Sequence, residues 1–257
     1  MATAARTASR SAAARGARSA LAASLIVLSG CSDDRERFTG YPPPAMPAAP
    51  RIALIGNSIT LHPPKPELGW QGDHGMAASR PDKDYAHRLL DMLSVPVTAA
   101  YIRNFYPFET DGAVRDDHLA SLQTVFASRP DIIVLQLGDN VTVDSGQPLE
   151  TLRHLYSFWF NFGALAKAAG AASDRLFCVS TWWETPLTDF IIRHHCSAHG
   201  GRVVHIGDIF GRPGNPDRST RDFTNVGVDI HPKDDGMLQI ALRLKHAIDT
   251  TEKVSRR

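Results

Sequence analysis

Ser58, Asn140 and His231 are the residues whose types and positions could carry out one reaction together. Ser58 lies in Gly56-Asn57-Ser58-Ile59-Thr60, directly after the apolar run Ile52-Ala53-Leu54-Ile55. Asn140 closes Gly138-Asp139-Asn140, directly after the apolar run from Ile132 to Leu137. His231 lies in Val228-Asp229-Ile230-His231-Pro232, just ahead of the amphipathic stretch Asp235 to Ile248. Acyl transfer needs a hydroxyl nucleophile, an imidazole to take its proton, and donors for the developing oxyanion. Each residue alone has a plainer reading. Ser58 as a helix cap, Asn140 as a turn residue and His231 as a surface histidine before a proline are all ordinary. Their order, and their places in the strand pattern, join them.

The elements that must position these groups follow from hydrophobic patterning. Strand-like apolar runs recur at 51–55, 97–102, 132–137, 176–180 and 203–206. The first shows no alternation, which fits a strand covered on both faces. Helical spacing appears over 84–93, 149–169 and 235–248; the last puts Met237, Ile240, Ala241, Leu244 and Ile248 on one face. The aromatic stripe from Phe158 to Phe162 reads as core rather than as a substrate platform. Alternating strand and helix predicts a single three-layer α/β/α domain over 51–250 with a parallel five-stranded, flavodoxin-like sheet, followed by a short tail, 251–257. Such a sheet brings the ends of different strands to one edge, where open α/β folds bind ligands.

In these blocks the chain resembles the SGNH hydrolase superfamily, the GDSL-type serine esterases. The matching segments are Gly56-Asn57-Ser58-Ile59-Thr60, Gly138-Asp139-Asn140 and Asp229-Ile230-His231-Pro232, and the likeness covers most of residues 50–250 in strand order. The chain also looks like a bacterial subset carrying Gly75-Met76-Ala77-Ala78-Ser79 and Asp84-Tyr85 after the serine block. The resemblance implies Ser58 as nucleophile, His231 as general base, and Asn140 with the Ser58 amide as oxyanion donors. It implies no cofactor and no metal.

Four positions depart from the family pattern. Asn57 stands where an Asp is usual, and Val141 replaces the acidic residue that normally follows the oxyanion Asn. The acid that orients the imidazole usually sits three residues before it, where this chain has Val228; Asp229 is one place closer. Asp229 therefore serves from a shifted place, or a backbone carbonyl orients His231 in a dyad. The block that normally gives a glycine amide to the oxyanion corresponds to Asn104-Phe105-Tyr106-Pro107-Phe108-Glu109, which has no glycine. Gly75 is an outside candidate for that donor.

The N-terminus bears on where the protein works. Residues 1–30 lack Asp and Glu, carry Arg6, Arg10, Arg15 and Arg18, and contain an apolar stretch, Ala20 to Leu28, too short to span a bilayer. Leu28-Ser29-Gly30-Cys31 resembles a bacterial lipobox, which implies cleavage before Cys31 and lipidation of its thiol. Ser32 after the cysteine resembles the outer-membrane default, with the protein facing the periplasm. Residues 31–50, rich in charge and proline, read as a lipidated flexible tether. Removing residues 1–30 takes four arginines from 28 basic side chains and nothing from 27 acidic ones, leaving a formal charge of −3. That balance is no footprint for nucleic acid.

Cys178 and Cys196 remain beside Cys31. Cys178 lies in an apolar run and reads as a small buried hydrophobe; pairing with Cys196, which an oxidising periplasm permits, is the alternative. His195 and His199 share a helical face but lack an acidic partner for a metal.

The function expected is a lipid-anchored, monomeric serine esterase acting on a small acyl ester, with acetyl on a carbohydrate one form of it. The alternative is a cell-envelope binding lipoprotein that keeps the fold without turnover. A metal-dependent phosphoesterase is more remote, because Gly138-Asp139 and Gly207-Asp208 alone do not supply a ligand set.

Overall fold

A computed structural model describes residues 50–110, 115–212 and 221–251. Residues 1–30, Cys31 and nearly all of the tether therefore lie outside the described residues. The five strands are β1 (Ile52–Gly56), β2 (Ala100–Asn104), β3 (Ile132–Gln136), β4 (Leu176–Val179) and β5 (Arg202–Val204). All neighbouring pairs are parallel, in the order β2-β1-β3-β4-β5. This is the flavodoxin-like order, with its switch point between β1 and β3.

The helices follow in chain order. They are α1 (Tyr85–Met92), α2 (Pro107–Thr110), α3 (Arg115–Ser121), α4 (Gln123–Ala127), α5 (Pro148–Ala172), α6 (Pro186–Ala198), α7 (Gly207–Gly211), α8 (Val226–Asp229) and α9 (Asp234–Asp249). Period-2 geometry sends alternate β1 residues to opposite layers. Ile52 and Leu54 pack with Leu89 of α1 and with Met237, Ile240 and Leu244 of α9. Ala53 and Ile55 pack with Phe158, Phe162 and Leu165 of α5 and Ile192 of α6. β1 is buried along its whole length, which explains its unbroken apolar run. Of the aromatic stripe read as core, the Phe158 and Phe162 rings are fully buried, whereas Trp159 is partly buried and Phe160 is exposed.

Two features differ from the sequence reading, the start of β2 and the state of the cysteines. β2 starts at Ala100 because Val97–Ala99 forms a 3-10 turn, closed by the Ala99 amide on the Pro96 carbonyl. Cys178 and Cys196 form a disulfide with Cα atoms 6.1 Å apart, so the solitary buried thiol is the wrong reading of the two. Cys178 was legible as buried; that β4 and α6 face each other there is a tertiary fact.

Candidate active site

The serine turn is built by close packing at its first residue and by hydrogen bonds at its second. A Cβ on Gly56 would lie 1.9 Å from Thr60 Oγ1 and 2.8 Å from the Gln136 carbonyl oxygen, so only glycine fits where β1 ends. Asn57 then donates its amide to the Gln136 carbonyl, while its side-chain oxygen accepts the Ile59 amide at 3.0 Å. The Asn57 carbonyl accepts the Thr60 and Leu61 amides. Ser58 is held between these bonds and is partly exposed, while both its neighbours are buried. Its amide has no acceptor among the described residues.

His231 arrives from the other end of the chain. Its Nε2 lies 2.8 Å from Ser58 Oγ, and its Nδ1 lies 2.6 Å from the Gly227 carbonyl oxygen. A carbonyl can only accept, so Nδ1 carries the proton and Nε2 is left to accept from the serine hydroxyl. The short helix α8 makes this possible: Asn225 caps it through the Val228 amide, and the His231 amide continues it onto the Val228 carbonyl. Burial pushes the imidazole down to about 4, against a rise from the Gly227 bond and with a further lowering from the nearby His62. The Trp183 ring stands at 90° to the imidazole with centroids 5.5 Å apart. At neutral pH the ring is an uncharged acceptor.

Asp229 is not placed as the triad reading requires. Its Oδ1 accepts the Asp222 and Phe223 amides at 3.0 and 3.2 Å and lies 3.0 Å from Lys233 Nζ. Desolvation works against the charged form, yet Lys233 and the two amides hold its carboxyl below the usual range. Asp229 thus ties the 222–223 segment to the base of α9, and Gly227 occupies the orienting place. Val228, at the family's acid position, is buried against the Trp70, Met76 and Ala77 cluster.

The remaining donors are settled by what each amide already bonds. Gly75 donates its amide to Asp84 Oδ2 at 3.1 Å, so it is not the missing oxyanion donor. In the 104–109 block the amides of Phe105, Tyr106, Phe108 and Glu109 bond Gly56 O, Asn104 Oδ1, Phe105 O and Tyr106 O. Those four amides are therefore not available to the site. Asn140 Nδ2 has two hydrogens and gives one to Glu109 Oε2 at 2.5 Å, which leaves the other for a ligand.

Sequence reasoning missed the polar network under the site. Glu109 is fully buried within α2; its Oε1 accepts from Asn57 Nδ2 at 3.1 Å and from the Gly138 amide. Asn57 Nδ2 also lies 3.1 Å from Asp139 Oδ2, which accepts from Gln136 Nε2 at 2.7 Å. Gln136 Oε1 accepts from Thr60 Oγ1 at 3.0 Å, and Thr60 Oγ1 lies 2.6 Å from the Tyr85 hydroxyl. Asp139 Oδ1 takes the Trp182 amide at 2.6 Å. Burial, reinforced by the Asp139 charge, pushes Glu109 up to about 7; loss of water pushes Asp139 up to about 6. The signal available in sequence was an acid in an otherwise apolar block, Phe105 to Phe108.

Two motifs resolve as structural. Asp84 caps α1 through the His87 amide at 2.7 Å and is fully buried, which accounts for the Asp84-Tyr85 pair. Asp208 is bonded by Arg243 at 2.5 and 2.8 Å, while Asp139 belongs to the network above. His195 packs edge-on to Trp159.

No protein-family model matches this chain, and no curated protein matches it. Among solved structures it is similar to a two-domain esterase active on acetylated mannans, co-crystallised with mannopentaose, at 15% identity and a TM-score of 0.47. That match covers 78% of this chain and 49% of the other, so the chain spans about half that protein's length. It is also similar to the psychrotrophic esterase EstA from Pseudoalteromonas sp., inhibited by monoethylphosphonate, at 15% identity and a TM-score of 0.47, covering 77% and 97% of the two chains.

Proposed function

We propose that this protein is a serine ester hydrolase that acts on a small acyl ester through a Ser58–His231 dyad. The observation that carries the reading is the 2.8 Å approach of His231 Nε2 to Ser58 Oγ, with Nδ1 held 2.6 Å from Gly227 O. In the first step Ser58 Oγ attacks the ester carbonyl while His231 Nε2 takes its proton. The oxyanion forms against the Ser58 amide and the second Asn140 Nδ2 hydrogen. His231 then protonates the leaving alcohol, and the acyl group stays on Ser58. Water attacks that ester with His231 again as base, which releases the acid and restores the serine. A base depressed to about 4 remains neutral over the physiological range, so it is ready to accept.

The substrate class to test first is acetyl on a cell-envelope or imported carbohydrate, because the Arg-rich, acid-free leader and the Cys31 lipobox support an outer-membrane lipoprotein facing the periplasm. A fluorophosphonate probe labels Ser58 in the wild type and not in Ser58→Ala. Hydrolysis of p-nitrophenyl acetate is nearly abolished in Ser58→Ala and His231→Ala. A wild type that neither reacts with the probe nor hydrolyses short-chain esters establishes the binding-lipoprotein alternative.

A further inference from the structure

We infer that Glu109 is the positioning residue of the oxyanion site: its buried carboxylate fixes the side-chain amide of Asn140 so that one N–H points to the reacting carbonyl. This rests on the esterase reading above and adds a residue to it.

The argument begins with what an amide can do. Asn140 is partly exposed at the end of β3, and its side chain could present either oxygen or nitrogen to the site. An ionised carboxylate only accepts. Glu109 Oε2 therefore compels Nδ2, not Oδ1, to face it at 2.5 Å, and the second Nδ2 hydrogen has its direction set by the amide plane. The other oxygen, Oε1, is held by two donors, Asn57 Nδ2 at 3.1 Å and the Gly138 amide. The same carboxylate thus grips the turn of the nucleophile and the loop of the oxyanion donor. Gly138 supports this contact with φ 124°, a conformation that side chains disfavour.

The surroundings give the device a dependence on protonation. The charged group facing Glu109 is Asp139, at the end of β3, across the shared Asn57 amide. From α5 the neighbouring group is the neutral Asn161 amide, which donates to the Phe108 carbonyl at 2.9 Å. A protonated Glu109 carries an O–H that Asn140 can satisfy only with its oxygen, so the amide turns over and the hole loses a donor. Burial and Asp139 raise Glu109 to about 7, whereas His231 is lowered to about 4. Asp139, raised to about 6, titrates together with Glu109, so a pH profile separates this carboxylate pair from His231.

Glu109→Gln separates positioning from mere structure. A glutamine of the same shape keeps its oxygen on the side with two donors, Asn57 Nδ2 and Gly138 N. Its Nε2 then faces Asn140, which must flip to offer Oδ1. The variant keeps its hydrogen bonds but reverses the oxyanion donor. For p-nitrophenyl acetate the expected loss is about 10² in kcat with KM nearly unchanged. In an Asn140→Ala background the same substitution should cost less than about 3-fold, because the residue it acts through is gone. Equal losses in the two backgrounds, or wild-type kcat in Glu109→Gln, overturn the inference. Should Glu109→Gln fail to fold, the wild-type profile decides. An acid limb of kcat near 7 supports Glu109, and a limb confined to the region near 4 rejects it. Fluorophosphonate labelling keeps the two claims apart. An unlabelled, inactive wild type overturns the esterase reading and this inference together. A labelled wild type with an indifferent Glu109→Gln overturns this inference alone.

Discussion

The Gly227 carbonyl oxygen lies 2.6 Å from His231 Nδ1, in the place where a triad puts a carboxylate. A carbonyl dipole fixes the same tautomer as an aspartate would, but it brings no full negative charge to the imidazolium that the proposed reaction requires. The ring stays correspondingly easy to deprotonate. Burial against Trp183 and the proximity of His62 push it in the same direction. In the reaction proposed above, the Ser58–His231 pair would therefore act as a dyad whose base is neutral well below pH 7.

Asp229→Asn should reduce kcat only a few-fold. In a triad the same change removes about 10⁴, because it stabilises the wrong imidazole tautomer. Here Asp229 bonds the Asp222 and Phe223 amides and Lys233, all away from the ring. The visible consequence should be a lower melting temperature. Steady-state kinetics beside a thermal melt checks both; a loss of several thousand-fold in a folded variant restores Asp229 as orienter.

Asn140→Ala should slow kcat by about 10² to 10³, the usual effect of one lost oxyanion donor. The Ser58 amide remains, so activity above the Ser58→Ala background is expected. Rates of p-nitrophenyl acetate hydrolysis for the two variants, side by side, measure the difference. Equal activities in Asn140→Ala and wild type remove Asn140 from the oxyanion site.

The His231 shift also links folding to pH. Its folded value, about 4, lies below the ordinary histidine value of 6.5, so the unfolded chain binds more protons between those limits. This group's stability term is fully present above 6.5 and is lost as pH falls toward 4. Melting temperatures of wild type and His231→Ala should therefore converge on acidification across that window. A constant difference from pH 7 to pH 4 contradicts the assignment.

Reducing the Cys178–Cys196 bond should destabilise the domain without touching the chemistry. The bond joins β4 to α6 across 18 residues, a loop for which chain entropy predicts about 3 kcal/mol. Denaturation with and without a reductant should show the drop, with kcat at low temperature unchanged. Identical midpoints reject a stabilising bond.

Cys31 should be the first residue of the mature protein and should carry acyl chains. The lipobox after an Arg-rich, acid-free leader is the ground for this. Mass spectrometry of the N-terminal peptide from membranes reads it directly. A chain starting elsewhere, or an unmodified Cys31, refutes it.

Apolar runs alternating with helical stretches determined the α/β class and placed the five strands to within a few residues; β1, β3 and β4 are buried throughout and so are written in mostly consecutive apolar residues, while β2 and β5 are partly exposed. Helical spacing likewise placed α1, α5 and α9, but not α6; α9 spans Asp234–Asp249 against an expected 235–248. Ser58, Asn140 and His231 were legible as a set because a parallel sheet gathers strand ends at one edge. Their partners were not. Whether His231 faces Asp229 or Gly227 depends on how four residues of α8 turn, and Asp229 is drawn away by Lys233 and two amides that only the folded loop supplies. Glu109 gives the sharpest contrast. In sequence it is a lone acid after Phe108, and the apolar block before it is the one local sign that it is not solvated. The folded chain removes it from water, 29 residues before Gly138 and 52 after Asn57, and closes three donors on it. Local pattern fixes which faces are buried, but the partner of a buried charge is decided by chain segments far apart in sequence, because a carboxylate stripped of water must find donors wherever the tertiary structure brings them.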